Sequence, residues 1–141
     1  MKRVKIIDLP KVEDSRGNLT FLQNNDQIPF EIKRVFWTYD IPGGQTRGGH
    51  AYQSQEEVII ALSGSFDVIV TNQDGTENKF CLNRSYYGLY IPANNWRHME
   101  NFATNALSVH LSSSVYDETD YIRNFEDYKS NEYQKHNDLR L

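Results

Sequence analysis

The sequence predicts an all-β domain, a small antiparallel β-barrel or jelly roll followed by a short C-terminal helix. Short alternating or apolar runs recur along the first 115 residues, with turn signals between them and almost no helical periodicity. Aromatic residues are abundant, with nine Tyr, seven Phe and two Trp, which favours strands. Many short strands in so short a chain are typical of a small closed antiparallel architecture.

The apolar and alternating runs predict ten strands. In chain order they cover residues 4–9, 18–23, 32–39, 48–52, 57–63, 65–71, 78–82, 88–91, 96–101 and 106–112. Three reversals are marked by turn residues. Asp74-Gly75 supplies the positive φ that a tight hairpin needs, Ser63-Gly64 marks a second reversal, and residues 14–17 mark a third.

Beyond Val115 the pattern changes to helical spacing. Tyr121, Ile122, Phe125 and Tyr128 recur at helical intervals, and the residues just before them, at 119 and 120, are suited to cap a short helix. Residues 129–141 are polar and are interpreted as a C-terminal tail. No internal repeat or linker interrupts residues 1–128, which are therefore interpreted as a single domain.

Composition limits the classes of partner. The chain has 141 residues, a formal net charge of −4 and an ordinary hydrophobic content of 38%. This charge argues against a general nucleic-acid binder, but it allows a single phosphorylated ligand held by a few arginines. There is no long apolar segment for a signal peptide or a membrane helix, so a cytoplasmic protein without a membrane partner is expected.

One spacing resembles a known metal-binding signature. The pattern Gly44-x5-His50-x-Tyr52-x4-Glu57-x6-Gly64 resembles the first cupin motif, and Gly88, Pro92, Arg97 and Asn101 resemble the second. Tyr52 and Arg97 stand where two metal-binding histidines are usual, and a guanidinium does not bind a metal. We therefore expect a cupin or RmlC-like jelly roll with no metal site and no cofactor.

Most candidate site residues lie in these two motifs. His50 and Tyr52 are two apart on a predicted strand, so their side chains point to the same face. Arg47 leads into that strand and Glu57 begins the next. Arg97 points inward by its motif position, and the planar guanidinium suits phosphate oxygens. The further substrate-binding candidates are Arg16 for the phosphates, with Trp37 and Tyr90 either stacking on a base or sugar or simply filling the core.

Several segments together resemble the sugar-nucleotide 3,4-ketoisomerases, the WxcM-like or FdtA-like cupins. The segments are residues 28–35, 46–50, 62–65 and 88–91, Trp96, and residues 116–123, and the resemblance runs from about residue 3 to residue 128. It implies a metal-free homodimer that acts on dTDP-4-keto-6-deoxyglucose. The product would serve the synthesis of dTDP-3-amino-3,6-dideoxyhexoses for surface polysaccharides such as lipopolysaccharide.

The chain departs from the family pattern at Tyr52, where the family usually has a second histidine that is regarded as central to catalysis. Two alternatives therefore stand beside the ketoisomerase. One is a non-catalytic cupin that binds nucleotide sugars, and the other is an isomerase or epimerase of a related nucleotide sugar. A metal-dependent dioxygenase is disfavoured, because only His50 and Glu57 remain as ligands.

The residues suggest a mechanism for the ketoisomerase. A 3,4-ketoisomerisation moves a proton from C3 to C4 of the sugar through an enediol, so it needs a base beside C3 and donors to the developing enediolate. Histidine titrates near neutral pH, which suits His50 as the base. Deprotonating Tyr52 at pH 7 costs about 4 kcal/mol, so Tyr52 is expected to donate a proton. Arg16, Arg47 and Arg97 are expected to hold the diphosphate or polarise the ketone.

Overall fold

The computed structural model describes residues 2–130 as two antiparallel sheets facing each other. It contains a 3-10 turn, Glu118–Asp120, one short helix and the following strands: β1 (Lys5–Asp8), β2 (Lys11–Asp14), β3 (Gly17–Thr20), β4 (Arg34–Thr38), β5 (Arg47–Tyr52), β6 (Glu57–Ser63), β7 (Phe66–Thr71), β8 (Glu77–Leu82), β9 (Tyr87–Ile91), β10 (Trp96–Glu100), β11 (Leu107–Ser112) and β12 (Tyr121–Ile122). The helix is α1 (Phe125–Lys129).

Each sheet has five strands. The first sheet has the order β1-β9-β6-β11-β4, and the second has the order β12-β5-β10-β7-β8. A separate hairpin is formed by β2 and β3. Apart from the β7–β8 hairpin, neighbouring strands in these two sheets are not consecutive in sequence, as in a jelly roll. The predicted all-β cupin-like jelly roll with a short C-terminal helix is confirmed.

All ten predicted strands are present, with ends that differ from the prediction by up to three residues. The sequence reading missed β2 and β12. Strand β2 is exposed throughout and its KVED sequence offers no buried face to reveal it. Strand β12 has only two residues, and it exists because Tyr121 and Ile122 pair with Tyr52 and Ala51 of β5.

The predicted helix starts later than its spacing indicated. It begins at Phe125, and its N-cap is Asn124, whose side chain accepts hydrogen bonds from the backbone N–H groups of Glu126 and Asp127. Asp120 was expected to cap this helix, but its buried carboxylate accepts hydrogen bonds from Ser54 and Gln55 instead. The tertiary contacts of residues 120–122 therefore override their helical spacing.

The predicted reversals are confirmed. Residues 72–76 join β7 to β8, with Gly75 at φ 90°, and residues 14–17 join β2 to β3. Gly64 has a φ of 67°, and a Cβ added there would lie 2.7 Å from Cα of Ala106. A side chain at position 64 would therefore collide with backbone as well as strain its own conformation.

Two apolar cores lie on the two faces of the first sheet. The inner core fills one half of the space between the sheets and includes Ile59, Phe66, Val68, Leu89 and Met99. The outer core lies beneath the segment that carries β2, β3 and residues 21–33, and it contains Ile28, Phe30, Val58 and Tyr90, among others. The other half of the space between the sheets is lined by polar and aromatic side chains.

Two further points concern membrane-spanning helices and the C-terminal tail. No helix within residues 2–130 has both the length and the apolar character needed to cross a membrane. The predicted tail is described only as far as Ser130, so the rest of it, residues 131–141, lies outside the described part of the chain.

Candidate active site between the two sheets

A cavity of about 250 Å³ opens in the polar half of the sandwich. One wall comes from β5 and β10 of the second sheet, and the opposite wall from β4 and β11 of the first. Tyr121 and Arg123 of the C-terminal segment complete it. The lining residues are Phe36, Thr38, Arg47, Gly48, His50, Tyr52, Met99, His110, Tyr121 and Arg123.

One ring nitrogen of His50 in this cavity has no hydrogen-bond partner within residues 2–130. Its imidazole is packed between two phenol rings, with ring centroids 4.6 Å from Tyr52 and 5.1 Å from Tyr121. Its Nε2 atom is buried and has no hydrogen-bond partner among the described residues. A buried nitrogen without a protein partner can form a hydrogen bond with a ligand.

The expected near-neutral titration of His50 is wrong. Burial, and secondly the nearby positive charge of Arg97, lower the pKa of its imidazole to about 3. The sequence showed neither cause, because both depend on strands that meet in space. His50 is therefore neutral at physiological pH and can accept a proton.

Tyr52 belongs to a cluster of hydroxyl groups around Arg34. The Tyr52 hydroxyl donates to the Tyr121 hydroxyl at 3.3 Å. The guanidinium of Arg34 donates to both hydroxyls, at 3.4 Å to Tyr52 and 3.2 Å to Tyr121. This places a positive charge directly behind two phenol groups that face the cavity. Such a cluster can stabilise negative charge that develops on a sugar oxygen.

The Tyr52 phenol stays protonated. Its pKa is raised above the usual value, first by burial, then by the negative charge of Glu57 and by the hydrogen bond to Tyr121. The ring also packs on a cation, since the guanidinium carbon of Arg97 lies 4.8 Å from the Tyr52 ring centroid. Tyr52 is therefore held in place as a hydrogen-bond donor and is unsuited to act as a base.

A buried clip fixes Arg34 and Tyr121. The Asp120 carboxylate accepts hydrogen bonds from the backbone N–H groups of Ser54 and Gln55 and from their side chains. The amide oxygen of Gln55 accepts from Arg34 at 3.0 Å. Because Asp120 immediately precedes Tyr121, this clip holds β12 against β5 and sets the position of the second phenol.

Glu57 and Arg97 lie beneath the cavity, next to His110 of its lining. Oε1 of Glu57 is 3.7 Å from Nη2 of Arg97 and 3.4 Å from Nδ1 of His110, and all three side chains are almost fully buried. Burial alone raises the pKa of the Glu57 carboxyl, but the interactions with His110 and Arg97 outweigh it and lower the pKa to about 2. Glu57 is thus an ionised carboxylate that compensates a buried guanidinium.

Two arginines flank the cavity opening. Arg47 at the start of β5 is exposed. Arg123 follows β12, lies 4.2 Å from the ring centroid of Tyr121 and forms an ion pair with Glu118 at 2.6 Å. Both line the cavity. They are placed to meet an anionic group at its entrance.

Three predicted site residues, Arg47, His50 and Tyr52, line the cavity. Glu57 and Arg97 lie behind its wall, and the Arg97 side chain is only 2% exposed. Burial therefore argues against direct phosphate binding by Arg97. The alternation of β10 explains it, because Arg97 and Met99 point inward while His98 points away.

The structure does not bring the other three predicted residues, Arg16, Trp37 and Tyr90, to the cavity. Arg16 lies on the exposed β2–β3 hairpin and pairs with Asp14. Trp37 points outward from β4 and is 58% exposed. Tyr90 is buried in the outer core, where its hydroxyl donates to Glu56.

Sequence reasoning missed several residues that line the cavity or shape its wall. They are Phe36, Thr38, His110, Tyr121 and Arg123. One signal was available in β11, where Ser108, His110 and Ser112 alternate with Leu and Val. That alternation indicates a polar face, and here the polar face turns inward because the outer core covers the apolar one. No such signal marked Tyr121, because its spacing mimicked a helix.

The cavity offers few metal ligands. Within residues 2–130, no group of three or more His, Cys, Asp or Glu side chains is arranged to hold a metal ion. His50 and Glu57 are on adjoining parts of the wall, but Tyr52 and Arg97 fill the remaining cupin ligand positions. The expected absence of a metal remains a prediction to be tested.

A protein family and a characterised protein are similar to this chain. A family described as WxcM-like, C-terminal (FdtA) matches residues 2–133. A TDP-4-oxo-6-deoxy-alpha-D-glucose-3,4-oxoisomerase of Aneurinibacillus thermoaerophilus is 38% identical over 125 residues, which cover 89% of each chain.

Similar proteins are also found among the solved structures. The WlaRB TDP-quinovose 3,4-ketoisomerase of Campylobacter jejuni is 43% identical, with a TM-score of 0.85 over 92% of this chain and 99% of that chain. QdtA, a sugar 3,4-ketoisomerase of Thermoanaerobacterium thermosaccharolyticum in complex with TDP, is 35% identical. Its TM-score is 0.90 over 94% of this chain and 96% of that chain.

Proposed function

The chain belongs to the WxcM-like (FdtA) family, and from this we propose that it is a dTDP-4-keto-6-deoxyglucose 3,4-ketoisomerase. Relatives that it resembles over nearly their whole length carry this activity in their names. The observation that carries the proposal is the position of His50. Its neutral imidazole has an Nε2 atom without a hydrogen-bond partner among the described residues, and it lies in the same cavity as the hydroxyl groups of Tyr52 and Tyr121, which accept from Arg34.

His50 removes the proton from C3 of the sugar. A histidine with a pKa near 3 is a weak base in the empty cavity, but the enediolate changes this. A negative charge about 4 Å away stabilises the imidazolium by about 4 kcal/mol at an effective dielectric constant near 20, which corresponds to about three pKa units. The base therefore gains strength as the reaction proceeds, and the same imidazolium returns the proton at C4.

Tyr52 and Tyr121 donate to the oxygen on which the charge develops. Arg34 behind them supplies a fixed positive charge, so the pair is a preorganised anion-stabilising site. Tyr52 takes the place of the family's second histidine. Its role here is to donate a hydrogen bond, which a neutral phenol performs at any physiological pH.

Arg47 and Arg123 bind the diphosphate of dTDP at the cavity entrance. Their guanidinium groups are the charged donors of the cavity lining. Arg97 acts from below: it lowers the pKa of His50 and supports the Tyr52 ring. The Arg16 side chain is assigned no phosphate contact, because it is committed to Asp14 on the hairpin.

The active molecule is a homodimer that uses the outer face of the first sheet. Edge strand β4 exposes Val35 and Trp37, and Tyr39 follows it; these side chains are 49%, 58% and 63% exposed. Trp37 lies opposite Val109 of β11, which in turn lines an apolar groove of about 280 Å³ with Phe21 and Leu62, among other residues. An exposed apolar band of this kind is typical of an interface, and an edge strand at its margin adds unpaired backbone groups.

Trp37→Glu tests this dimer. We expect the variant to sediment as a monomer, whereas Ile6→Glu should remain a dimer. Ile6 is a matched exposed apolar residue on β1, the opposite edge of the same sheet. A wild-type protein that is monomeric at micromolar concentration would contradict the homodimer, and a dimeric Trp37→Glu would contradict this interface.

The 3-keto product of the reaction is suited to amination at C3. We therefore place the enzyme in the cytoplasmic synthesis of dTDP-3-amino-3,6-dideoxyhexoses for surface polysaccharides. The activity itself is tested by incubating the protein with dTDP-4-keto-6-deoxyglucose in deuterated water and following the sugar by NMR. Isomerised sugar with deuterium at the carbon that receives the proton supports the proposal; dTDP binding without isomerisation would leave a binding protein.

A further inference from the structure

A polar chain crosses the wall of the cavity opposite His50. Thr38 Oγ1 and Ser108 Oγ are hydrogen bonded, and Ser108 Oγ lies 2.9 Å from Nε2 of His110. Nδ1 of His110 lies 3.4 Å from the Glu57 carboxylate. The chain thus runs from a buried carboxylate to Thr38, which lines the cavity.

Strand pairing and stacking hold this chain in place. Thr38 and Ser108 are direct partners in the β4–β11 register. The His110 ring lies against Phe36 with centroids 4.4 Å apart and planes 7° from parallel, so the imidazole cannot turn without displacing Phe36. Ser108 is fully buried and His110 is 3% exposed. Four polar groups on the inner face of the first sheet are therefore fixed in one arrangement.

The order of the chain defines which way each proton points. The Glu57 carboxylate lies 3.4 Å from Nδ1 of His110 without hydrogen-bond geometry. Its negative charge favours the tautomer that carries the proton on Nδ1, which leaves Nε2 of His110 as an acceptor. Ser108 then donates to Nε2, and Thr38 donates to Ser108. Because Thr38 lines the cavity, its oxygen can accept a proton from a sugar hydroxyl bound there. An arrangement of this type resembles the carboxylate–imidazole–hydroxyl order of acid–base catalysts.

We propose that Thr38 is a further catalytic residue, and that Ser108, His110 and Glu57 act through it as positioning residues that carry the hydroxyl proton of the sugar. The inference rests on the proposed isomerase function. Isomerisation moves two protons: His50 carries the one bound to carbon, and the one bound to O3 must reach O4. His50 and Thr38 lie on opposite walls of the cavity, and each carries one of the two protons.

The transfer balances without any other reagent. The O3–H bond breaks as the Thr38 oxygen takes the proton; Thr38 passes its own proton to Ser108, and Ser108 passes its proton to Nε2 of His110. The imidazolium forms beside the Glu57 carboxylate, which stabilises its charge. The same steps in reverse deliver a proton to O4, so one O–H bond is broken at O3 and one is made at O4.

Two matched pairs of variants test the chain. Thr38→Val keeps the shape of the side chain and removes the hydroxyl, while Thr38→Ser keeps the hydroxyl. Ser108→Ala interrupts the chain, while Ser112→Ala removes an equally buried hydroxyl of β11 that has no hydrogen-bond partner among residues 2–130. Each variant is assayed for isomerised product, deuterium wash-in at C3, dTDP affinity and melting temperature.

We expect Thr38→Val and Ser108→Ala to lower kcat about 10²-fold with unchanged dTDP affinity. Deuterium wash-in at C3 should fall less than product formation, because His50 is intact, and this ratio would not change if the hydroxyls were only structural. Thr38→Ser, which keeps the hydroxyl, should recover most of the activity that Thr38→Val loses, and Ser112→Ala should stay within about threefold of the wild type.

The results separate the two proposals. An active wild type whose Thr38→Val and Ser108→Ala variants keep full kcat would overturn the chain and leave the isomerase function standing. Equal losses of wash-in and product in these variants would also overturn it, since the defect would then lie in His50 or in folding. A wild type that does not isomerise the sugar would refute the function and the chain together.

Discussion

Glu57 and Arg97 meet at 3.7 Å beneath the cavity, and each side chain is only 2% exposed. The carboxylate also faces His110 at 3.4 Å. A buried guanidinium is tolerated only while an opposite charge accompanies it. The motif positions that hold a metal in other cupins thus contribute to an internal ion pair here.

Removing this carboxylate should destabilise the fold. Glu57→Gln preserves the shape but leaves Arg97 uncompensated, so we expect the free energy of unfolding to fall by about 3–5 kcal/mol. Denaturant unfolding measures it. Glu13→Gln, which breaks an exposed ion pair with Lys11, is the control and should change little. A Glu57→Gln protein as stable as the wild type would refute the buried pair.

Stability should fall at mildly acidic pH because of His50. The pKa of His50 is about 3 in the folded protein and about 6.5 in the unfolded chain. Between these values the unfolded state binds a proton that the folded state does not, so stability decreases as pH falls, by up to about 1.4 kcal/mol per pH unit. His50→Gln should flatten this dependence between pH 6 and 4 by about that slope. Identical slopes in both proteins would count against the lowered pKa.

The chemistry at His50 and Tyr52 gives separate signatures. His50→Asn should abolish deuterium wash-in at C3 while dTDP affinity stays nearly unchanged. Tyr52→Phe removes one donor to the enediolate, and turnover should drop about 10²–10³-fold. Tyr52→His restores the usual family residue and should retain activity, with a rate that falls at low pH as the new imidazole protonates. An inactive wild type rescued by Tyr52→His would identify Tyr52 as the residue that switched catalysis off.

The diphosphate is expected at the cavity entrance. Arg47→Ala and Arg123→Ala should each weaken dTDP binding by about 1.5–3 kcal/mol, the usual value of a charge-assisted hydrogen bond. Isothermal titration calorimetry measures this. Arg16→Ala is the control, since Arg16 pairs with Asp14 on the hairpin, and its dTDP affinity should match the wild type. If Arg16→Ala weakened dTDP binding while Arg47→Ala and Arg123→Ala did not, the phosphate site would lie on the hairpin instead.

The protein should function without a metal. Elemental analysis should find no stoichiometric zinc, iron or manganese, and a chelator should change neither the melting temperature nor the rate of isomerisation. The reason is that Tyr52 and Arg97 replace two of the four cupin ligands. One metal ion per chain, or loss of activity after chelation, would contradict this.

The strands could be predicted from local patterns, and so could the part of the site that lies within one motif. His50 and Tyr52 share a face because side chains alternate along a strand, and this rule needs only two residues of sequence. Trp37 and Phe36 show where the rule is insufficient. Alternation requires one of them to face inward, but only the packing of Phe36 on His110 decides which one.

The missed parts of the site depend on long-range contacts. Tyr121 reaches the cavity because Asp120 is held by Ser54 and Gln55, and nothing near Tyr121 in the sequence indicates that clip. The pKa of His50 likewise depends on burial and on Arg97 from another strand. Arg97 was predicted to point inward, and its depth beneath the wall followed only from the closed sandwich.

The clip between Asp120 and the β5–β6 connection also sets the order in which the enzyme can mature. Tyr52 and Tyr121 are separated by 69 residues, yet their hydroxyls must meet before the cavity is complete. Contacts of such long sequence separation carry the entropy cost of closing the chain between them. Strand β11, which joins β4 to β6, and strand β12, which adds to β5, both follow β10 in the chain. The cavity is therefore complete only when these last two strands have docked.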